Sequence, residues 1–154
     1  MSLLSKYICY AFGFCISLQD IESITKVLTD MKKVIATQNA PKAVGPYSQA
    51  IEADGTLYVS GQIPVNPADG SVPESIEDQS RQALMNVGAI LAEAGMTYDN
   101  VVKTTVLLAD IADFAAMNAV YAEFFTGDKP ARACFQVAAL PMGVKVEIEA
   151  VAVR

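Results

Sequence analysis

Histidine is absent from this chain of 154 residues, and its absence excludes several kinds of catalytic site. Without an imidazole there is no Ser–His–Asp triad, no Cys–His pair and no metal held by histidine. The sequence also lacks the patterns GxGxxG and GxxxxGKS/T, whose glycine-rich loops bind nucleotide phosphates. Any chemistry must therefore use carboxylates, arginine, tyrosine, cysteine, hydroxyl groups or the backbone.

Positive charge is scarce, since 11 Lys and Arg against 17 Asp and Glu give a net charge of −6. This balance argues against nucleic acid as a partner, because phosphates need a positive surface.

Hydrophobic residues make up 53% of the chain, enough for one domain with its own core. The three cysteines, Cys9, Cys15 and Cys134, are an odd number without a pairing pattern, which predicts a reducing compartment such as the cytoplasm.

Residues 1–30 differ in composition from the rest, and we assign residues 31–154 to the domain proper. The apolar run 7–18 is shorter than the roughly 20 residues that span a bilayer, and no A-x-A cleavage motif follows it. Its apolar residues recur at close to helical spacing, so we predict a helix in this extension. Met31 and the two lysines after it look like a second start. Two interpretations are equally favoured, an upstream start codon or a genuine helix docked on the domain, and a cleaved signal peptide is the least favoured third.

From residue 31 onward the pattern predicts short strands and two helices. Alternating apolar residues and turn chemistry place strands at 33–36, 50–53, 56–62, 101–108, 131–138 and 144–153. A helix over 76–94 is indicated by Ser75 as its N-cap and Gly95 as its C-terminal signal. A second helix begins near Asp110 and ends before Gly127 and Pro130. Strands mixed with only two helices predict an α+β domain with both helices on one sheet face.

Arg132 is one of three arginines and lies in the otherwise apolar segment 130–135. A guanidinium on an apolar strand needs an anion, because leaving it buried and unpaired is unfavourable. Its planar fork matches a carboxylate. Alternation along 144–153 puts Glu147 and Glu149 on one strand face, so either could form a structural ion pair with Arg132. The pattern alone favours that ion pair over a bound ligand, and an arginine exposed on an edge strand is a third alternative.

Glu147 and Cys134 are candidate reactive groups, each with a simpler alternative. A carboxylate beside an apolar layer can have a raised pKa and act as a general acid or base. More often such a glutamate is a solvated residue of an amphipathic strand. Cys134 has no histidine to activate it, so a small core thiol is the favoured interpretation.

Four further residues are candidates for lining a site. Tyr47 follows a Gly-Pro pair that makes a rigid turn and can aim its hydroxyl. Ser60 and Gly61 end a strand, where a glycine lets a ligand approach the backbone closely. Asn118 lies among apolar neighbours in the second helix. An ordinary loop tyrosine, a bulge and a capping asparagine would give the same pattern.

Taken in order, these motifs resemble the RidA (YjgF) family. The resemblance covers nearly all of residues 31–154 and is carried by the segments ATQNAP at 36–41, GPYSQA at 45–50, SGQIP at 60–64, VKTTV at 102–106, MNAVY at 117–121, PARAC at 130–134 and VEIEA at 146–150. It implies a chorismate-mutase-like α+β fold, a mixed β-sheet with two helices packed on one face, assembled as a homotrimer with clefts between subunits. Residues 1–30 are not part of the family pattern.

The resemblance also implies an activity, namely that of a 2-iminobutanoate/2-iminopropanoate deaminase. Such enzymes hydrolyse the enamine and imine products of pyridoxal-phosphate dehydratases to 2-keto acids and ammonia, without a metal or organic cofactor. Arg132 is similar to the arginine that holds the substrate carboxylate, and Glu147 to the acidic residue near the imine and its attacking water. Tyr47 and Asn118 resemble pocket residues, and the remaining site-lining positions are Ser60, Gly61 and Cys134.

Two other functions are compatible with parts of the pattern. The main alternative is a non-catalytic trimeric protein that binds small 2-keto acids and acts in regulation. Glu147 and Tyr47 favour the enzyme, because water activation needs such groups. RNA cleavage is a third possibility, and the net charge of −6 and the missing histidine count against it. We therefore expect a small imino or keto acid as ligand, and neither nucleic acid nor a membrane as partner.

Overall fold

A computed structural model of the protein describes residues 7–9, 15–17 and 32–154. The chain divides into two compact units, Met1–Lys33 and Val34–Arg154. In the first unit, strands β1 (Tyr7–Cys9) and β2 (Cys15–Ser17) pair antiparallel. The helix predicted in the extension is therefore wrong for these two segments, where aromatic and β-branched residues favour extended backbone over helix. The other residues of that predicted helix lie outside the described ones.

The second unit is built on a six-stranded mixed sheet. Its strands are β3 (Lys33–Ile35), β4 (Ala50–Ala53), β5 (Thr56–Gln62), β6 (Val101–Leu108), β7 (Ala131–Gln136) and β8 (Val146–Val153), in the spatial order β3-β4-β5-β8-β6-β7. Antiparallel pairing joins β4 to β5, β5 to β8 and β8 to β6, whereas β6 and the edge strand β7 are parallel. The predicted strands are confirmed, with β7 ending two residues earlier and β8 beginning two residues later than expected.

Local signals in the sequence explain where the first helix begins and ends. Helix α1 (Ile76–Glu93) starts after Ser75, whose side chain accepts a hydrogen bond of 3.0 Å from the backbone N–H of Asp78. It stops before Gly95, which has a φ of 70° that glycine adopts without strain. Similarly, the β4–β5 hairpin turns through Asp54 and Gly55, with φ values of 49° and 74°. The Ser75 and Gly95 signals predicted for the first helix are confirmed.

The second helix is reached through a short 3-10 turn, Ile111–Asp113, which Asp110 initiates by accepting a hydrogen bond of 2.9 Å from the backbone N–H of Ala112. Helix α2 (Phe114–Phe124) follows directly. It connects the parallel strands β6 and β7, as a crossover between parallel neighbours requires.

Both helices lie on the same face of the sheet. Helix α1 packs on β8 and β5 with a buried apolar face, formed by Ala83, Leu84, Val87, Ile90 and Leu91. On α2, the hydroxyl of Tyr121 is 2.7 Å from that of Thr104, a buried residue of β6. The opposite sheet face carries exposed side chains that include Tyr58 and Phe135. The residues of that face are free to take part in contacts outside the domain.

Candidate functional site

Arg132 lies on the helix-covered face of the sheet. Its partner in the register between β6 and β7 is Thr104, whose hydroxyl contacts α2, and paired residues of neighbouring strands point to the same side. From this position the Nη2 of Arg132 donates a hydrogen bond of 2.8 Å to Oδ1 of Asn118. The sequence places Asn118 one helical turn into α2, so strand alternation and helix position together bring these two predicted site residues into contact.

Two aromatic rings of α2 flank the guanidinium of Arg132. Its Cζ lies 4.6 Å from the ring centroid of Tyr121 and 5.6 Å from that of Phe114. We call Arg132, Asn118, Tyr121, Phe114 and the neighbouring Cys134 the arginine cluster. A cavity of about 350 Å³ opens beside it, lined by Asn118, Tyr121, Ala122, Lys129, Pro130 and Arg132.

The structural ion pair considered for Arg132 is not formed. Among residues 32–154 the salt bridges are Arg81–Glu123 and Arg154–Glu52, and neither includes Arg132. Its charge is instead met by an amide oxygen and two ring faces, which stabilise a cation without neutralising it. An anion that enters the adjacent cavity therefore meets a guanidinium that no carboxylate of residues 32–154 pairs with.

Cys134 follows Arg132 on the same face of β7 and is partly buried. Burial raises the pKa of the Cys134 thiol, although the charge of Arg132 acts in the opposite direction. A thiol with a raised pKa is mostly protonated at neutral pH and is a poor nucleophile. Cys134 therefore fits the role of a lining group rather than a reacting one.

Glu147 lies on the other face of the sheet. Along β8 its neighbours Val146 and Ile148 are buried in the core, whereas Glu147 is paired with Leu107 and points away from the helices. Its carboxylate lies directly over Gly61, where a Cβ atom would overlap it. Burial, followed by the negative charge of Glu149, raises the pKa of Glu147. A carboxylate with a raised pKa accepts a proton more readily near neutral pH than an ordinary one.

The bulge at Ser60 and Gly61 allows this close approach. The register between β5 and β8 shifts between Val59 and Gln62, which releases the backbone of the two residues from the regular ladder. The Ser60 hydroxyl donates a hydrogen bond of 2.7 Å to the carbonyl of Ser48, and so ties the bulge to the loop that carries Tyr47.

That loop is fixed from beneath by Gln49, a buried residue that the sequence analysis did not single out. Its Oε1 accepts a hydrogen bond of 2.7 Å from the backbone N–H of Thr37, and its Nε2 donates to the carbonyls of Thr37, Ala40 and Pro41.

We call Tyr47, Ser60, Gly61 and Glu147 the glutamate cluster. They share a cavity of about 320 Å³ with Val44, Ile63 and Pro141.

The predicted site residues thus fall into two groups within one chain. Arg132, Asn118 and Cys134 meet on the helix-covered face. Tyr47, Ser60, Gly61 and Glu147 meet on the opposite face, and strand β6 separates the two groups. The structure brings the members of each group together, but it does not bring Arg132 and Glu147 together in one chain.

Tyr121, Phe114 and Thr104 also belong to this site, although no sequence motif pointed to a role for them. In the sequence, Tyr121 and Phe114 are large apolar residues at helical spacing, which is the ordinary signature of a core face. Their contact with Arg132 depends on how α2 lies across β6 and β7, and no local pattern reports that arrangement.

Within residues 32–154 the structure has no group of three or more metal-ligating Cys, Asp or Glu side chains. Nor does this described part of the chain include a helix with the length and hydrophobicity needed to cross a bilayer.

Comparison with known proteins places the chain in a family. A family model described as Endoribonuclease L-PSP matches residues 37–154. The 2-iminobutanoate/2-iminopropanoate deaminase of Mus musculus is 54% identical over 125 residues, which cover 80% of this chain and 93% of the mouse protein. The protein of the same name from Escherichia coli K12 is 52% identical over 127 residues, covering 80% of this chain and 99% of the bacterial protein.

Solved structures give the same result for the fold. E. coli TdcF with bound serine matches with a TM-score of 0.78 and 47% identity, covering 79% of this chain and 98% of that one. Yeast Mmf1 matches with a TM-score of 0.77 and 46% identity, covering 80% of this chain and 98% of that one. Because the family match extends over residues 37–154 and includes both residue clusters, the chain belongs to the Endoribonuclease L-PSP family, the RidA family that its motifs resemble.

Proposed function

We propose that this protein hydrolyses reactive 2-imino acids to 2-keto acids and ammonia, at a site that the arginine cluster of one copy and the glutamate cluster of another build together. The observation that carries the proposal is the state of Arg132. It faces a cavity, it is held by Asn118 and Tyr121, and it has no carboxylate partner among residues 32–154. Its missing partner is the substrate carboxylate.

The relatives support this activity and this class of substrate. Proteins that are 52–54% identical over 80% of the chain are named 2-iminobutanoate/2-iminopropanoate deaminases. The structural neighbour TdcF was solved with bound serine. Serine and a 2-imino acid share a carboxylate next to a carbon that bears nitrogen, so an arginine can bind the carboxylate of either compound in the same way.

Binding by Arg132 leaves the imine carbon to be attacked by water. Arg132 holds the carboxylate through charge-assisted hydrogen bonds, and this fixes the neighbouring C2 atom. A protonated imine is already electrophilic, so the enzyme has to position a water molecule and manage one proton. This small requirement is why a chain without histidine can perform the reaction.

Glu147 is the residue that accepts this proton and delivers it. Its ionised carboxylate accepts a proton from the attacking water as the oxygen bonds to C2, and the C=N bond becomes a C–N single bond. The proton is then delivered to the amine nitrogen, and the C–N bond breaks as ammonia leaves. At the same time the remaining hydroxyl proton passes to the Glu147 carboxylate and the C2–oxygen bond becomes the carbonyl of the 2-keto acid. Glu147 gives this second proton to the departing ammonia, which leaves as ammonium. The Tyr47 hydroxyl and the backbone at Ser60–Gly61 orient the water and the imine nitrogen.

A cyclic homotrimer with the chorismate-mutase-like arrangement would unite the two clusters. In a ring each copy offers one surface to the next copy and a different surface to the previous one, so clusters on different parts of one chain can meet at every interface. The sheet face of Glu147 supports such an assembly, because large side chains remain exposed there: Tyr58 at 53%, Phe135 at 47% and Val153 at 37%.

The net charge of −6 favours this small anionic substrate held by a local cation over RNA, despite the family's description as an endoribonuclease. The cysteine pattern supports a cytoplasmic location. Residues 1–30 are an extension outside the catalytic domain, since the E. coli relative matches the chain over 99% of its own length and still covers only 80% of this chain.

The test is release of 2-keto acid from a freshly generated 2-iminopropanoate, with Arg132→Ala as the key variant. Arg81→Ala is the matched control, because Arg81 is an arginine of α1 whose ion pair with Glu123 lies on the surface. We expect the wild type and Arg81→Ala to accelerate release equally. Arg132→Ala should lose roughly 10- to 100-fold in kcat/KM, the factor expected when hydrogen bonds between charged groups are lost.

Two results would overturn the proposal in different ways. An Arg132→Ala variant with the wild-type rate would show that the carboxylate binds elsewhere. A wild type that binds 2-oxobutanoate but does not accelerate release would identify the protein as a non-catalytic binder of keto acids.

A further inference from the structure

We infer that Tyr121 is a positioning residue for Arg132, and that Thr104 in turn fixes Tyr121. This inference rests on the proposed function, because it takes Arg132 as the residue that binds the substrate carboxylate. Neither Tyr121 nor Thr104 is assigned a role by the motifs or by the comparisons. Both belong to elements that meet at the arginine cluster, Tyr121 to α2 and Thr104 to β6.

The guanidinium of Arg132 stacks on the ring of Tyr121. A guanidinium within about 6 Å of an aromatic centroid is attracted to the ring face, and the Cζ of Arg132 lies 4.6 Å from that of Tyr121. The ring therefore restrains the plane of the guanidinium, while the hydrogen bond from Nη2 to Asn118 restrains its rotation within that plane. Asn118 and Tyr121 are three residues apart on α2, and hence on the same helix face.

Tyr121 itself has little freedom to move. It is 6% exposed, its ring stacks on that of Phe125 at a centroid distance of 4.5 Å, and its hydroxyl is 2.7 Å from the hydroxyl of Thr104. Thr104 is 1% exposed. The hydroxyl–hydroxyl contact is therefore shielded from water and holds the edge of the ring in one place.

The contacts among Thr104, Tyr121 and Arg132 form a closed ring of three residues. Thr104 is the register partner of Arg132 on the neighbouring strand. The Thr104 hydroxyl, the Tyr121 ring and the Arg132 guanidinium thus form a loop of contacts that starts and ends on two paired strand positions. Because of these contacts, the backbone register of β6 and β7 fixes the position of the guanidinium before the substrate arrives. Less side-chain conformational entropy is then lost when the substrate binds.

The experiment measures 2-oxobutanoate binding by calorimetry and steady-state kinetics on 2-iminopropanoate for four variants: Tyr121→Leu, Tyr121→Phe, Thr104→Val and the double variant Thr104→Val/Tyr121→Phe. Tyr98→Phe is the matched control. Tyr98 is also a largely buried tyrosine, and its hydroxyl donates a hydrogen bond of 2.8 Å to the carbonyl of Leu84, away from Arg132.

We expect Tyr121→Leu to raise Kd and KM about tenfold, with a smaller fall in kcat, because carboxylate binding loses its preorganised partner. Tyr121→Phe and Thr104→Val should each raise Kd about two- to fivefold, the size expected for one lost hydrogen bond. The double variant should be no worse than either single variant, since both remove the same contact. Tyr98→Phe should lower Tm and leave Kd and KM unchanged.

The inference would be overturned if the three single variants kept the wild-type Kd and KM and only lost thermal stability, as the control does. Additive effects in the double variant would overturn the part assigned to Thr104. If Tyr121→Leu does not fold, the two conservative variants decide. Failure of the proposed function gives a different result, because Arg132→Ala would then bind 2-oxobutanoate as well as the wild type does.

Discussion

Arg132 and Glu147 lie on opposite faces of the same sheet, with strand β6 between the strands that carry them. Thr104 of β6 is paired with Arg132 and faces the helices, whereas Leu107 of β6 is paired with Glu147 and faces away. Strands β7 and β8 are two strand spacings apart, and this distance by itself separates the backbones of Arg132 and Glu147 by roughly 10 Å. One substrate molecule therefore cannot contact both side chains of a single chain, and a site that uses both, as we propose, must take them from two copies.

This relationship predicts that two inactive variants restore activity when they assemble together. Arg132→Ala should lose roughly 10- to 100-fold in kcat/KM, the scale of a lost anchor, and Glu147→Gln about 100-fold, the scale of a lost general base. In oligomers purified from cells that make both variants, about one quarter of the interfaces would combine an intact arginine cluster with an intact glutamate cluster. We expect roughly that fraction of the wild-type rate.

The control for this experiment is a mixture of Arg132→Ala with the double variant Arg132→Ala/Glu147→Gln. No interface in that mixture has Arg132, so its rate should stay at the level of the single variants. If the first mixture is no more active than the control, each site is built by one chain and the shared site is refuted.

Gly61 should be needed for activity more than for folding. A methyl group at position 61 would overlap the end of the Glu147 side chain, which is flexible and can rotate away. Gly61→Ala should therefore keep a Tm close to that of the wild type and lose about 100-fold in kcat. Gly127→Ala is the matched control, because its new Cβ would come no closer than 3.8 Å to the carboxylate of Asp99. A Gly61→Ala enzyme with full activity would show that Glu147 does not act from its observed position.

Local signals predicted most of the fold. The Asp54–Gly55 turn and alternating apolar residues located strands β4 and β5, and Ser75 and Gly95 located α1. The prediction failed where side chains from distant elements bind the backbone. Strand β8 begins late because the N–H of Lys145 donates to the side chain of Gln79 on α1, a contact between residues 66 positions apart.

The site could be predicted only residue by residue. The isolation of Arg132 in an apolar segment and its family motif marked it as a residue in need of an anion, and this stays a prediction, because no carboxylate of residues 32–154 pairs with it. Its separation from Glu147 depends on the register of β6 against β7 and β8, which is set by long-range pairing. For the same reason the sequence left an Arg132–Glu147 ion pair open, although the register excludes it.

Removal of residues 1–30 should leave an active enzyme. The family match begins at residue 37, and the strands that carry both clusters lie within Val34–Arg154. We expect the shortened chain to keep kcat/KM within about twofold and to elute from a sizing column at the same oligomeric state, since both clusters stay intact. Dissociation or aggregation would mean that the extension contributes to assembly.

The acid limb of the pH–rate profile should respond to Glu149. The negative charge of Glu149 adds to burial in raising the pKa of Glu147, so Glu149→Gln lowers that pKa. The proposed general base is then ionised at lower pH, and the acid limb of kcat/KM should move to lower pH with little change in its plateau. Glu93→Gln, an exposed position on α1, is the control and should leave the limb in place. An unmoved limb in Glu149→Gln would assign that limb to another group.

The same pKa makes Glu147 a source of instability at neutral and higher pH. Because its pKa is higher in the folded protein than in the unfolded chain, the folded state binds the proton more tightly. The stability gained from that proton is complete below the unfolded pKa and is lost as the pH rises through the folded pKa. Above both values, the ionised carboxylate remains partly desolvated and close to Glu149.

Glu147→Gln should therefore raise Tm at pH 8 while it abolishes most of the activity, and the gain should shrink as the pH falls through the folded pKa. Thermal unfolding at a series of pH values and one protein concentration measures this, because assembly also shifts Tm. A gain of the same size at every pH would indicate better packing of the glutamine instead. A lower Tm at pH 8 would show that the ionised carboxylate makes stabilising contacts. The burial of Glu147 would then not reduce the stability of the protein in favour of its activity.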